Sequence, residues 1–262
     1  MTKASPASPA STLPLLRLAV TGTDTGIGKT VVATALTARA VQLGQRIAAM
    51  KPVESGIDER VDVTGAPRSD AERLQEAAGG TDDLSIVRPY ALREPLAPMV
   101  AAHRAGVTVS LDVLDAAFNT LCVAREVIVV EGAGGLLVPI TRTMSFLDLF
   151  SRWRCELIIV AGDRLGVLNH VLLTVRAAES GGLLVRAIIL TSHTGKDATI
   201  CEATNYDALC ALLPHHAIFR FPWVDRTDSL GALAAAAEGS GLDALLLRET
   251  PVPTAPGTLF FD

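Results

Sequence analysis

One glycine-rich stretch, Gly22-Thr-Asp-Thr-Gly-Ile-Gly28-Lys29-Thr30, limits what this chain can fold into more than any other. It reads as a phosphate-binding loop of the G-x-x-x-x-G-K-T class. An apolar run at 15–21 precedes it, and a helical composition at 30–43 follows it and stops at Gly44. Strand, glycine loop and helix in that order aim backbone N–H groups and a helix N-terminus at an anion. Lys29 then neutralises β/γ-phosphate oxygens and the Thr30 hydroxyl is suited to Mg²⁺. The expectation is ATP or GTP binding; the same cradle serves ligases, kinases and switches, so the reaction must be read elsewhere.

The remaining apolar runs agree with this beginning. Strands are expected at 46–50, 127–130, 157–160 and 184–190, with helices near Ser69, at 110–124 and at 167–180 between them. Alternation of that kind implies right-handed βαβ units, hence an α/β fold: a single P-loop NTPase-type domain with a mostly parallel sheet flanked by helices. Scarce aromatics, 4% against 49% hydrophobic residues, suit helices on a buried sheet. The domain is expected to span 15–249. Residues 1–14 read as a disordered extension and 250–262 as an irregular tail, both rich in proline. Residues 53–67 read as an exposed loop, and three prolines keep 85–106 from being one helix.

Charge and cysteines narrow the function. A formal net charge of -5 without any run of Lys or Arg offers no footprint for nucleic acid or an anionic membrane. No apolar stretch approaches the length of a membrane span. Cys122, Cys155, Cys201 and Cys210 are too dispersed for a zinc knot or a disulfide framework. A cytoplasmic location follows as the expectation.

Three further motifs follow the phosphate loop. Lys51-Pro-Val-Glu-Ser55-Gly places a cation at the end of a strand expected beside the phosphate-loop strand, because a residue before proline favours extended backbone. Ser69-Asp70 opens a helix with an acidic first turn. Glu131-Gly132-Ala133-Gly134-Gly135 carries a carboxylate out of the run V-I-V-V into a loop able to approach a nucleotide closely. In this order the four motifs resemble those of the dethiobiotin synthetase family: G-T-D-T-x-x-G-K-T, K-P-x-x-S-G, S-D and E-G-A-G-G. The resemblance continues through R-P-Y-A-L-R-E-P-L-A-P (88–98), L-G-V-L-N-H (165–170) and F-P-W (221–223).

That resemblance implies an ATP- and Mg²⁺-dependent ligase acting on 7,8-diaminopelargonic acid and CO₂. It makes Lys29 and Lys51 the catalytic cations and Thr30, Asp70 and Glu131 the Mg²⁺ ligands. Gly26, Ile27, Gly28, Lys29, Thr30 and Val31 would cradle the triphosphate, with Asp70, Glu131, Gly132, Ala133 and Gly134 beside it. Thr191, Phe221, Pro222 and Trp223 would face the base. Thr25, Lys51, Ser55, Leu168 and Asn169 would contact the diamine, the last two from the partner subunit of a homodimer. The chain departs from the family at Thr191-Ser192, where Asn-Asp is common, and at Gly26, where some members carry Glu or Asn. The rivals are a DNA- or membrane-partnered switch ATPase, a corrinoid-amidating ligase, for which no length is spare, and a non-catalytic paralogue.

Overall fold

The computed structural model describes residues 15–57, 68–192 and 200–249; the expected N-terminal extension, the C-terminal tail and residues 58–67 of the expected loop lie outside them. In chain order the first elements are β1 (Leu16–Gly22), α1 (Lys29–Gln42), β2 (Ile47–Met50), β3 (Val53–Ser55), α2 (Asp70–Ala77) and α3 (Leu84–Val87). Then come β4 (Tyr90–Leu92), α4 (Pro98–Arg104), α5 (Leu111–Cys122), β5 (Val127–Gly135), α6 (Phe146–Arg152) and β6 (Glu156–Gly162). The last are α7 (Val167–Ser180), β7 (Val185–Thr191), α8 (Ile200–Leu212), β8 (Ile218–Phe221) and α9 (Leu230–Gly239), with a 3₁₀ turn at Leu242–Leu246.

Six strands form one sheet in the order β2-β5-β1-β6-β7-β8, every neighbouring pair parallel. The continuous apolar runs are explained by burial on both faces. Along β5, Val127 and Val129 join the layer beneath α1 and α9, while Ile128 and Val130 join the layer beneath α5, α6 and α7. Alanines let helices approach closely: Ala38, Ala77 and Ala234 meet where α1, α2 and α9 converge. All four cysteines are free. Among the described residues no helix is long and apolar enough to cross a membrane.

Two expectations require correction. The strand leading to Lys51 does not lie beside the phosphate-loop strand; β5 lies between β2 and β1. Lys51 therefore reaches the phosphate side past the end of β5, which is why it meets Glu131. The start of the expected exposed loop is a strand: Val53 and Glu54 are buried, because β3 pairs in parallel with β4 in a separate two-stranded sheet. Ser69, by contrast, caps α2 as its sequence suggests, in a full capping box with Glu72.

Candidate active site

All parallel strands of a sheet deliver their carboxyl ends to one edge, and loops there build the site. At the end of β1 the chain turns through Thr23–Ile27 and enters α1. Five residues separate Gly22 from Gly28, one more than the G-x-x-x-x-G-K-T spacing provides. Gly26 and Gly28 absorb the turn in left-handed backbone conformations, with φ of 73° and 92°. No heavy atom lies within 4 Å of where a Cβ on Gly26 would stand, so its departure from Glu or Asn leaves open space. The Lys29 ammonium donates to the Asp24 carbonyl at 2.6 Å, and Asp24 pairs with Arg164 at 2.8 Å. Burial depresses Lys29 to about 8, with the nearby Glu131 charge opposing the shift.

Lys51, 3% exposed, stands between two carboxylates: its ammonium donates to Glu131 Oε1 at 2.7 Å and to Asp70 Oδ2 at 2.8 Å. Thr30 Oγ1 donates to the same Glu131 oxygen at 2.8 Å. Residues 30, 51, 70 and 131, from α1, the β2–β3 connection, α2 and β5, thus form one hydrogen-bonded cluster. Burial works against the charge on Lys51, but the two carboxylates outweigh it and hold the ammonium protonated. Burial also pushes Asp70 upward, and Lys51 overrides it to leave the carboxyl below its ordinary range. Burial raises Glu131, with Lys51 opposing.

A cavity of about 600 Å³ opens over this cluster. Thr25, Gly26, Gly28, Lys29, Thr30 and Val31 form one wall; Lys51, Ser55, Asp70, Glu131, Ala133 and Gly134 form the others. Ile27 points down into the core instead, and Gly132 packs against Phe146 and Phe150 while its carbonyl accepts from Lys51 at 3.2 Å. The residues fit Mg²⁺ by donor chemistry. Thr30, Asp70 and Glu131 supply hard oxygens, and Glu131 Oε2 is buried without a hydrogen-bond partner. Among the described residues no group of three or more His, Cys, Asp or Glu makes a self-contained metal centre. The ion would need phosphate oxygens or water to complete its shell, the usual arrangement for Mg²⁺.

The other half of the edge, at β7 and β8, is built differently. The Thr191 side chain is buried, and its hydroxyl donates to the Ile27 carbonyl of the phosphate loop at 2.7 Å. A second cavity of about 580 Å³ is lined by Asp163, Ser192, Glu202, Arg220, Phe221 and Pro222, among others. Ser192 donates to Glu202 at 3.3 Å. Trp223 does not line it; its indole stands at the surface and donates to Asp225. Leu168 and Asn169 lie in the first turn of α7 and line neither cavity, Leu168 half-buried and Asn169 exposed.

Sequence reasoning leaves several residues of the site unassigned. Glu54, Pro95, Leu96, Ala97, Pro98 and Val138 complete the walls of the first cavity. Pro95 to Pro98 belong to the 88–98 motif, but side chains without polar chemistry carry no signal of a site. Glu54 and Arg88 belong to motifs as well. They form an ion pair at 3.0 Å, Glu54 buried and Arg88 partly so, beside the helix that carries Asp70.

Known proteins resemble this chain over most of its length. A family model described as an AAA domain matches residues 17–229. An ATP-dependent dethiobiotin synthetase BioD from Anaeromyxobacter dehalogenans (strain 2CP-C) is 40% identical over 223 residues, covering 84% of this chain and 97% of the relative. A protein of the same name from Xanthomonas euvesicatoria pv. vesicatoria (strain 85-10) is 43% identical over 223 residues, covering 85% and 95%. A solved ParA family ATPase from Chlorobium tepidum TLS superposes with a TM-score of 0.50 at 13% identity, covering 86% of this chain and 93% of that one. At that identity the likeness concerns the fold alone.

Proposed function

This chain belongs to the dethiobiotin synthetase family, and on that premise we propose how its residues carry out the family's ATP-dependent ring closure. The substrates are 7,8-diaminopelargonic acid, CO₂ and ATP. One amine takes up CO₂ as a carbamate, and a carbamate oxygen attacks the γ-phosphate with ADP leaving. The second amine then attacks the carbonyl carbon of the carbamic–phosphoric anhydride, closing the ureido ring and expelling phosphate.

Lys29 holds the β/γ-phosphate oxygens. Lys51 faces the transferred group and counters the charge that develops on the equatorial oxygens and the bridging carbamate. Thr25 and Ser55 orient the diamine on the opposite side of the same cavity. Mg²⁺, when bound by Thr30, Asp70 and Glu131, supplies charge neutralisation on the phosphates. The base rests in the shallower cavity between Ser192 and Phe221-Pro222. The observation that carries the reading is the single cavity onto which Thr25, Lys29, Thr30, Lys51, Ser55, Asp70 and Glu131 all open.

The enzyme acts in the cytoplasm as a homodimer in which Asn169 and Leu168 reach the partner's diamine. Support for the dimer comes from Asn169, exposed in the first turn of a 14-residue helix between exposed Leu165 and Leu173. Mass-spectrometric detection of dethiobiotin tests the reaction. Product is expected only when diamine, bicarbonate, ATP and Mg²⁺ are all present, with matching ADP release. A folded, ATP-binding protein that makes none would overturn it.

A further inference from the structure

Asp70 is the first residue of α2, so its position depends on how the start of that helix is held. The first N–H groups of a helix have no partner within it. Here Asp70 N donates to Glu54 Oε1 at 2.6 Å and Ala71 N to Glu54 Oε2 at 3.4 Å. Glu72 N donates to Ser69 Oγ at 3.3 Å. The capping box is local, but Glu54 comes from β3, sixteen residues away, and ties the helix to a different element. A carboxylate at a helix N-terminus is stabilised by the helix dipole. Glu54 is 5% exposed, and its charge is met by Arg88, whose Nη1 donates to Glu54 Oε2 and to Ser69 Oγ, each at 3.0 Å.

The same two segments also hold Lys51. Its backbone N–H donates to the Val87 carbonyl at 2.8 Å, one residue before Arg88, and β3 begins two residues after it. Segments 51–54 and 87–88 therefore set both ends of the Lys51–Asp70 pair. Glu54 lines the first cavity beside Ser55, but both its oxygens are engaged by Asp70, Ala71 and Arg88, so its carboxylate holds the protein rather than the substrate.

We propose that Glu54 and Arg88 are positioning residues that place the Asp70 carboxylate for Mg²⁺ by clamping the first turn of α2 to the Lys51 segment. The proposal rests on the reading of Asp70 as a Mg²⁺ ligand. Residues that orient a metal ligand from behind typically change metal affinity about 10- to 100-fold when replaced.

The test is Mn²⁺ titration, followed by electron paramagnetic resonance, into protein saturated with a non-hydrolysable ATP analogue. Glu54→Gln keeps the volume but exchanges an acceptor for a donor facing N–H groups and Arg88. It should weaken Mn²⁺ about tenfold. Asp70→Asn should weaken it further, and the double variant should be no worse than Asp70→Asn alone, because positioning has no effect once the ligand is gone. Arg88→Met leaves Glu54 in place and should show a smaller loss in the same direction, which keeps the test available if Glu54→Gln does not fold. A lowered Tm with wild-type Mn²⁺ affinity in Glu54→Gln, or full additivity in the double variant, would overturn the positioning role while leaving Asp70 a ligand. Wild-type affinity in Asp70→Asn would overturn the ligand reading itself, and the positioning role with it.

Discussion

The two halves of the strand edge, to which the proposed function assigns the phosphates and the base, are built on different plans. Around β1, β2 and β5 the polar side chains are bonded to one another about a buried Lys51–Glu131 pair: Thr30 and Lys51 share one Glu131 oxygen, and Lys51 also holds the partly exposed Asp70. Around β7 and β8 a buried polar pair, Asp163 with Asn205 at 2.7 Å, lies at the cavity, and the wall continues with a partly exposed Ser192–Glu202 contact, Arg220 and Phe221-Pro222, with Trp223 turned to solvent. Phosphoryl transfer demands charges fixed in place before the reaction, so that half tolerates little change. A base can be held by weaker, partly solvated contacts of the Ser192–Glu202 kind together with apolar walls such as Phe221-Pro222. The two halves should therefore answer mutation on very different scales.

The largest effect is expected at Lys51. On the proposed function, Lys51→Ala removes a preorganised cation from the transferred phosphoryl group and should lower kcat by on the order of 10²- to 10³-fold. It also strands Glu131, fully buried, and Asp70 beside it. Removing one partner of a buried ion pair costs about 3–5 kcal/mol, so a clear fall in Tm should accompany the kinetic loss. Turnover within a few-fold of wild type would break the contrast at its stronger end.

How much of the molecule is legible in its sequence follows the same division. The phosphate loop can be read because strand, glycines and helix are contiguous, and Lys51 because Pro52 fixes the end of its strand. The Ser69 cap is local too. The insertion of β5 between β1 and β2 is not legible, since strand order is set by long-range pairing and leaves no mark in either strand. Strand β3 is hidden because Glu54 and Ser55 are polar, and only the pairing with β4 and with Arg88 explains the burial of Glu54. Helix α8 and the four-residue β8 lack the clear apolar stripe or run that would announce them. Thr191 looks like a residue of the base site because it follows a strand; nothing local shows that its hydroxyl turns back toward residue 27, 164 positions earlier.

Thr191 consequently sharpens the comparison. Thr191→Val keeps the shape and removes the donor to the Ile27 carbonyl, a change worth about 1 kcal/mol, or roughly fivefold in affinity. Since Ile27 belongs to the phosphate loop, nucleotide binding by calorimetry should weaken equally for ATP, GTP and CTP. A loss confined to ATP would return Thr191 to the base half.

The smallest effect is expected at Glu202. Its carboxylate lines the second cavity and accepts from Ser192 at 3.3 Å, a long bond between partly buried groups, where solvent competes for both partners. A contact of that kind discriminates weakly, because the ligand or water replaces what is lost. Glu202→Ala should shift the ratio of kcat/KM for ATP over GTP by about threefold at most, with kcat at saturating nucleotide within about twofold of wild type. A shift of about tenfold or more in base preference would mean that Glu202 reads the base directly and that the base half is built around its ligand no less strictly than the phosphate half. A fall in kcat instead would mean that the two halves are coupled, most directly through Thr191, which joins β7 to the phosphate loop.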